Sequence, residues 1–206
     1  MKKRVKIILF IIAGLVVISG IIIPLLPFMW GWNPAYGTPS LEFPMGDQMN
    51  ITKLAAYNTP DWGEPGKHHN GLDLEIIGPT ILLSPCTGII DGIWYNINPY
   101  SSGEVAMIHV SIRINYGWTV KLVLEPWANI TEIRDQQLAA VVVKVGEKVQ
   151  PGDLIGTLLY NYEYPHLHYM VMHNGKDVCP YTYSSPDAQT IYEEIAIRTN
   201  STICHP

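Results

Sequence analysis

Charge is scarce in this chain. Only 15% of its 206 residues are Asp, Glu, Lys or Arg, against about 25% in an ordinary soluble domain. Low charge, together with 17 Gly and 16 Pro, excludes a coiled coil and a charge-rich disordered tail. Basic residues are in deficit, 13 against 18 acidic, for a net charge of −5. That balance excludes the basic footprint of a nucleic-acid binder. The length suffices for one domain with its own core and a small appendage.

Charge is absent altogether from residues 7–30, a run of 24 residues. Such a run crosses a hydrocarbon core of about 30 Å as a helix. It is longer than the apolar region of a cleaved signal peptide, and Pro24, Leu25, Leu26, Pro27 and Phe28 offer no small-x-small cleavage site. Lys2, Lys3, Arg4 and Lys6 precede it, and the positive-inside rule then predicts a cytoplasmic N-terminus. Trp30 and Trp32 fit an interfacial aromatic belt. The expectation is a single-pass protein with a basic tip (1–6), a bilayer anchor (7–30) and an extracytoplasmic remainder. Without the four basic residues of the tip, the remainder has nine basic against 18 acidic side chains. Sequons begin at Asn50, Asn129 and Asn200, and Cys179 and Cys204 can pair in an oxidising compartment, leaving Cys86 free. Three unpaired thiols are equally compatible with the spacing.

Residues 31–60, rich in Pro, Gly, Asn and Thr, read as a stalk and lead-in segment. Short apolar and β-branched runs follow: Thr80–Leu83, Gly88–Trp94, Val105–Ile114, Trp118–Leu124, Leu138–Val145 and His166–Met172. Asn174-Gly175 is a hairpin signal. Two helices are predicted, a short one near Ala128–Gln137 and one over Pro186–Arg198. Ser185 is the N-cap of the second, Pro186 its first residue, and Asp187 lies in its first turn. The domain is therefore mainly β with a terminal helix.

Four of the seven histidines fall in two clusters, His68-His69-Asn70-Gly71-Leu72-Asp73 and Pro165-His166-Leu167-His168. On a strand, His166 and His168 project from one face, with Leu167 opposite. Gly71 permits a bend between His69 and Asp73. Two imidazoles and one carboxylate form a three-ligand set with an open fourth position, the pattern of a catalytic zinc site. His109 lies on an apolar strand and reads as a core histidine. Trp62, Trp94, Trp118 and Trp127 read as a mixture of core and rim, and Tyr160, Tyr162 and Tyr164 as one face of an exposed strand.

His69-Asn70-Gly71-Leu72-Asp73 resembles the His-x-Gly-x-Asp motif of the lysostaphin/LytM-type zinc metallopeptidases, metallopeptidase family twenty-three. Pro165-His166-Leu167-His168-Tyr169 resembles their His-Leu-His-aromatic motif. Leu83 to Ile90 is similar to the family's Ala-Pro-x-x-Gly-x-Val turn, Val145 to Gly156 to its Val-x-x-Gly repeat, and Gly175 to Pro180 to its Gly-x-x-x-x-Pro close. The resemblance covers about residues 61–182, with 183–206 as a C-terminal helix and tail. It implies an antiparallel β-sheet or sandwich core, like a duplicated hybrid motif, with a substrate groove. It implies one Zn²⁺ held by His69, Asp73 and His168, with His166 catalytic beside it, and a peptide or peptidoglycan-like substrate.

One position departs from the pattern. Where the family has a second catalytic His on a Tyr-x-His-Leu strand, this chain reads Lys121-Leu122-Val123-Leu124-Glu125-Pro126-Trp127. Either Glu125 takes the role of general base, or the chain is a tethered metal-binding, weakly active or inactive module that binds peptide or activates another hydrolase. A third reading, a biotinyl- or lipoyl-type carrier, rests on the glycine pattern of Val145 to Gly156. It lacks a Lys at a clear hairpin tip. Nothing in the sequence sets the oligomeric state.

Overall fold

The computed structural model describes residues 37–98, 105–128, 130–161 and 163–206. The basic tip, the proposed anchor, Trp30, Trp32, Asn129 and Tyr162 lie outside the described residues. Among the described residues, no helix is long and apolar enough to cross a membrane.

Among the described residues ten strands form: β1 (Ile51–Ala55), β2 (Leu72–Ile76), β3 (Thr80–Leu83), β4 (Gly88–Ile97), β5 (Ala106–Arg113), β6 (Trp118–Glu125), β7 (Lys148–Val149), β8 (Leu154–Leu158), β9 (His166–His173) and β10 (Lys176–Val178). The larger sheet has the order β1-β2-β9-β6-β5-β4-β7, with β10 also on β9, and β3 pairs β8 in a second sheet. Every strand pair is antiparallel. The mainly-β antiparallel expectation holds, and two α-helices accompany it, α1 (Thr131–Ala139) and α2 (Pro186–Thr199).

Period-two alternation decides which face is which. Leu72, Leu74 and Ile76 of β2, Leu167, Tyr169 and Val171 of β9, and Val120, Leu122 and Leu124 of β6 are all buried on one face. Ile108, Val110 and Ile112 of β5 extend the same core. A fully buried aliphatic side chain contributes about 1.5–3 kcal/mol, so this face supplies the driving force. The residues between them (Asp73, Glu75, His166, His168, Lys121, Glu125, Met107, His109) all line one cavity on the opposite face.

Several expectations shift at their edges for physical reasons. The described part of 31–60 belongs to the packed body: Leu41, Phe43 and Met45 are buried, and β1 pairs β2. Its Pro and Gly residues obscured a real hydrophobic alternation at 41, 43 and 45. The β-branched run after Leu138 forms no strand beyond a bridge at Val141, because α1 carries the chain as far as Ala139. Tyr160 and Tyr164 do not lie on a strand, and Tyr164 has φ of 57°. Asn174 and Gly175 both have positive φ, 51° and 76°, as a tight hairpin with right-handed strand twist demands. Ser185 caps α2 by accepting from the Ala188 N–H, and Asn200 closes it in the left-handed conformation.

Cys179 and Cys204 form a disulfide, while Cys86 is buried and free. Next to it, Tyr57 and Cys204 form a β-bridge and Tyr57 donates to the Asp177 carbonyl. The bond therefore ties the segment around Cys204 to the end of β10, the neighbour of the His168-bearing strand β9. Closing a loop of 25 residues constrains the unfolded chain by about 3 kcal/mol. Cys204→Ser in the full chain is expected to lose a stability of that order in urea unfolding, with core strand signals retained. An unchanged midpoint would show that the crosslink adds nothing.

Candidate metal centre and groove

The register of β2 against β9 brings the two histidine clusters together. Asp73 is paired with His168 and Glu75 with His166, so both polar pairs emerge on the groove face. His69 lies just before β2, in a segment held by backbone bonds between Asn58 and His69 and between His69 and Thr59. The turn at Gly71 is obligatory. A Cβ there would stand 2.8 Å from both His168 Cε1 and the Tyr169 carbonyl oxygen, inside van der Waals contact.

Three ligand atoms converge. His69 Nε2 lies 3.2 Å from His168 Nδ1 and 3.1 Å from Asp73 Oδ1, and His168 Nδ1 lies 2.6 Å from Asp73 Oδ1. A tetrahedral zinc with bonds of about 2.0–2.1 Å places its ligand atoms about 3.3 Å apart. The set therefore fits such an ion with little movement, and among the described residues it is the one His, Cys, Asp and Glu cluster close enough to do so.

Both imidazoles are held in the tautomer a metal needs. The Nδ1–H of His69 donates to the Ala56 carbonyl at 2.8 Å, which leaves Nε2 as the lone-pair nitrogen. The Nε2–H of His168 donates to Asn70 Oδ1 at 3.1 Å, which leaves Nδ1 facing Asp73. Trp62 stacks on the His69 ring with centroids 4.2 Å apart and excludes water from its outer face. Ala56 acts through its backbone carbonyl, which residue identity does not encode. Asn70 was readable in principle, because it sits inside the His-x-Gly-x-Asp motif.

Beside the trio, His166 Nε2 lies 3.5 Å from Glu125 Oε2 and 4.0 Å from Asp73 Oδ2. Its Nδ1–H donates to the Tyr164 carbonyl at 3.1 Å. Burial pushes the His166 pKa down, but Asp73 and Glu125 outweigh it and carry it up to about 9. Burial likewise works against ionised Asp73, and the three surrounding histidines overcome it, holding the carboxyl far below its usual range. His168 is raised by Asp73 against the pull of burial. Asn98 also donates to Glu125 Oε2 at 3.3 Å. Glu125 is therefore a buried carboxylate with two polar partners, on the strand directly opposite His166.

The cavity measures about 1090 Å³ and crosses the sheet from β1 to β4. Trp127 and Tyr164 border it next to His166, and both have φ of 57°. Left-handed backbone is uncommon for aromatic residues and marks a local constraint. His109 lies in this cavity, half-buried and stacked on Trp94 with an interplanar angle of 3°. The expectation of a core histidine is corrected: β5 alternation turns it to the groove, with Ile108 and Val110 in the core. Its Nε2 bonds Asn96 Oδ1. Burial and Lys121 depress its pKa to about 4. His68 is exposed on the rim and is a neighbour rather than a member of the trio.

No known family's sequence model matches the chain, and no curated protein matches it. Solved structures do. One is a zinc-containing peptidase from Vibrio cholerae, 18% identical with a TM-score of 0.47, the match covering 68% of this chain and 39% of that one. Another is the catalytic domain of a prophage-encoded M23 protein, EnpA, from Enterococcus faecalis, 20% identical with a TM-score of 0.43, over 75% of this chain and 99% of that one. A third is the catalytic domain of the antimicrobial peptidase lysostaphin from Staphylococcus simulans, 21% identical with a TM-score of 0.42, over 66% and 93%. The chain thus spans well under half the length of the Vibrio protein.

Two outcomes test the geometry. The His168 pKa is raised by Asp73, so protons compete with zinc for its Nδ1. Zinc affinity is therefore expected to climb with pH through and above the ordinary histidine range, with proton release visible by calorimetry in buffers of different ionisation enthalpy. Removing the Asn70 acceptor by Asn70→Ala is expected to weaken zinc binding about 10–100-fold. Equal affinity in the variant would show that His168 is oriented by something else.

Proposed function

We propose that this chain is a membrane-anchored, extracytoplasmic zinc metalloendopeptidase that hydrolyses peptide bonds of cell-wall or cell-surface peptides. The observation that carries the reading is the convergence of His69 Nε2, Asp73 Oδ1 and His168 Nδ1, with the His166–Glu125 pair beside them, in the floor of one groove. The order and spacing of the histidine and glycine motifs support it independently.

One Zn²⁺ held by His69, Asp73 and His168 would supply Lewis acidity and lower the pKa of a water toward about 7. The chain's own groups do the rest. Glu125 Oε2 accepts the proton of the attacking water. His166 donates from Nε2, first to the developing oxyanion and then to the leaving amine. The Tyr164 carbonyl fixes His166 so that Nε2, and not Nδ1, faces the reacting atoms. Trp62, Trp127 and Tyr164 narrow the groove and exclude bulk water from around the trio. In this reading Glu125 stands in for the missing second histidine, as its register opposite His166 permits.

The location outside the membrane is supported by the uncharged run of residues 7–30 behind a basic tip, and by the Cys179–Cys204 crosslink, which suits an oxidising compartment. With nine basic against 18 acidic residues beyond the tip, the exterior is not drawn to anionic wall polymers. The anchor then supplies the localisation.

Zinc content and turnover on Gly-rich or wall-derived peptides, measured together on the full chain, test the proposal. His69→Ala and Asp73→Ala are expected to lose zinc. His166→Ala is expected to keep zinc and lose about 10²–10⁴-fold in kcat, the range for one general acid–base group, and Glu125→Gln to do the same. Zinc bound at full stoichiometry with no turnover on any such peptide would favour the non-catalytic, tethered binding module instead.

A further inference from the structure

The groove extends beyond the metal trio, and among the described residues two of its buried or half-buried charged groups, Lys121 and Asp177, have no ion pair at contact distance. Lys53 pairs with Glu75 at 3.9 Å, His166 with Glu125 at 3.5 Å, and Asp73 with His69 and His168. Lys67 is exposed on the rim, where water solvates it. Lys121 is different. It is half-buried in the groove floor on β6, and among the described residues no carboxylate reaches ion-pair distance of its ammonium.

Alternation fixes where this charge sits. Lys121, Val123 and Glu125 share the groove face of β6, and Val123 is in register with His168. Two residues along a strand span about 7 Å. The Lys121 root is therefore one step from the metal-ligand row, on the side away from Glu125 and His166. Trp94 and His109 stand on one flank, with the ammonium 6.0 Å from the Trp94 ring centroid. Met170, opposite Lys121 on β9, forms the other flank. Asp177 also lines this end of the cavity, and its Oδ1 is buried without a hydrogen-bond partner.

A half-buried ammonium without an anion at contact distance loses solvation, and Asp177, acting on Lys121 from beyond ion-pair distance, returns only part of it. Cation–π attraction at 6 Å is at the limit of its useful range and recovers only part of that loss. An anion brought by a ligand recovers it. We propose that Lys121 is the receptor for a carboxylate of the bound peptide, so that the groove selects acidic peptides whose carboxylate lies one residue's length from the scissile carbonyl. This rests on the peptidase reading for the word scissile, but the carboxylate site itself requires only that peptide occupy the groove. The carboxylate can be a chain terminus or an acidic side chain, since both present the same two oxygens.

Equilibrium binding to the zinc-loaded full chain separates these sources and keeps the test independent of turnover. Acetyl-Gly-Gly-Gly is compared with its carboxamide, and acetyl-Gly-Gly-Glu-Gly-amide with its Gln counterpart. The wild type is expected to bind at least one acid about tenfold more tightly than its amide, equivalent to about 1.4 kcal/mol. Lys121→Met is expected to erase that preference while binding the amide as before, and Lys121→Arg to retain most of it. Zinc stoichiometry and circular dichroism verify that both variants are folded and loaded. Two results would overturn the proposal: no acid preference in either pair, including no binding of any of the four peptides, or a preference that survives in Lys121→Met, which would assign the carboxylate to the metal. A chain that prefers the acid through Lys121 yet cleaves nothing upholds the subsite and removes the peptidase reading.

Discussion

The whole site depends on one register, that of β2 against β9. Asp73 opposite His168 and Glu75 opposite His166 are the same pairing that puts Leu72 against Tyr169 and Leu74 against Leu167 in the core. A slip of one residue would turn Asp73 and both histidines into the apolar interior and expose Leu72 and Leu167 in the groove. The hydrophobic effect on one face thus locks the chemistry on the other. Gly71 is the other half of the lock, because only a residue without Cβ lets the His69 segment approach the His168 ring this closely.

The charges in the groove form a graded arrangement. At its centre, Asp73 stays ionised despite burial because three histidines surround it. His166 is cationic beside two carboxylates. Neither state survives alone in such a buried place. A cluster that gathers lone pairs and a carboxylate around a point with no apolar filler is built for a cation, whether protons or a metal ion. Outward along the floor, Glu75 and Lys53 neutralise each other, while Lys121 has no carboxylate at ion-pair distance among the described residues and acts on Asp177 only from farther off.

The local parts of this arrangement were legible in the sequence. His69, Asp73, His166 and His168 lie in short motifs whose spacing sets their faces, and the alternation of β9 follows directly from Leu167 between two histidines. The α2 start was legible as well, since Ser185 and Pro186 act within four residues. What escaped was non-local. The contact of Glu125 with His166 is a cross-strand pairing that no single segment encodes. His109 lies in an apolar strand, and the face it takes is visible only from the pairing of β5 with β6, where it stands opposite Val123. The Ala56 carbonyl that orients His69 is a backbone group and leaves no trace in residue identity. Residues 31–60 read as a stalk and a lead-in strand; β1 is that strand, and the Pro and Gly content ahead of it masks the buried side chains of Leu41, Phe43 and Met45.

X-ray absorption at the zinc edge of the loaded full chain tests the central claim most directly. Two imidazole nitrogens and carboxylate or water oxygens are expected at about 2.0–2.1 Å, with no sulfur, and the signal is expected to disappear in His168→Ala, which loses the ion as His69→Ala does. A sulfur scatterer near about 2.3 Å, or a spectrum unchanged by His168→Ala, would contradict the assignment of this groove as the metal centre.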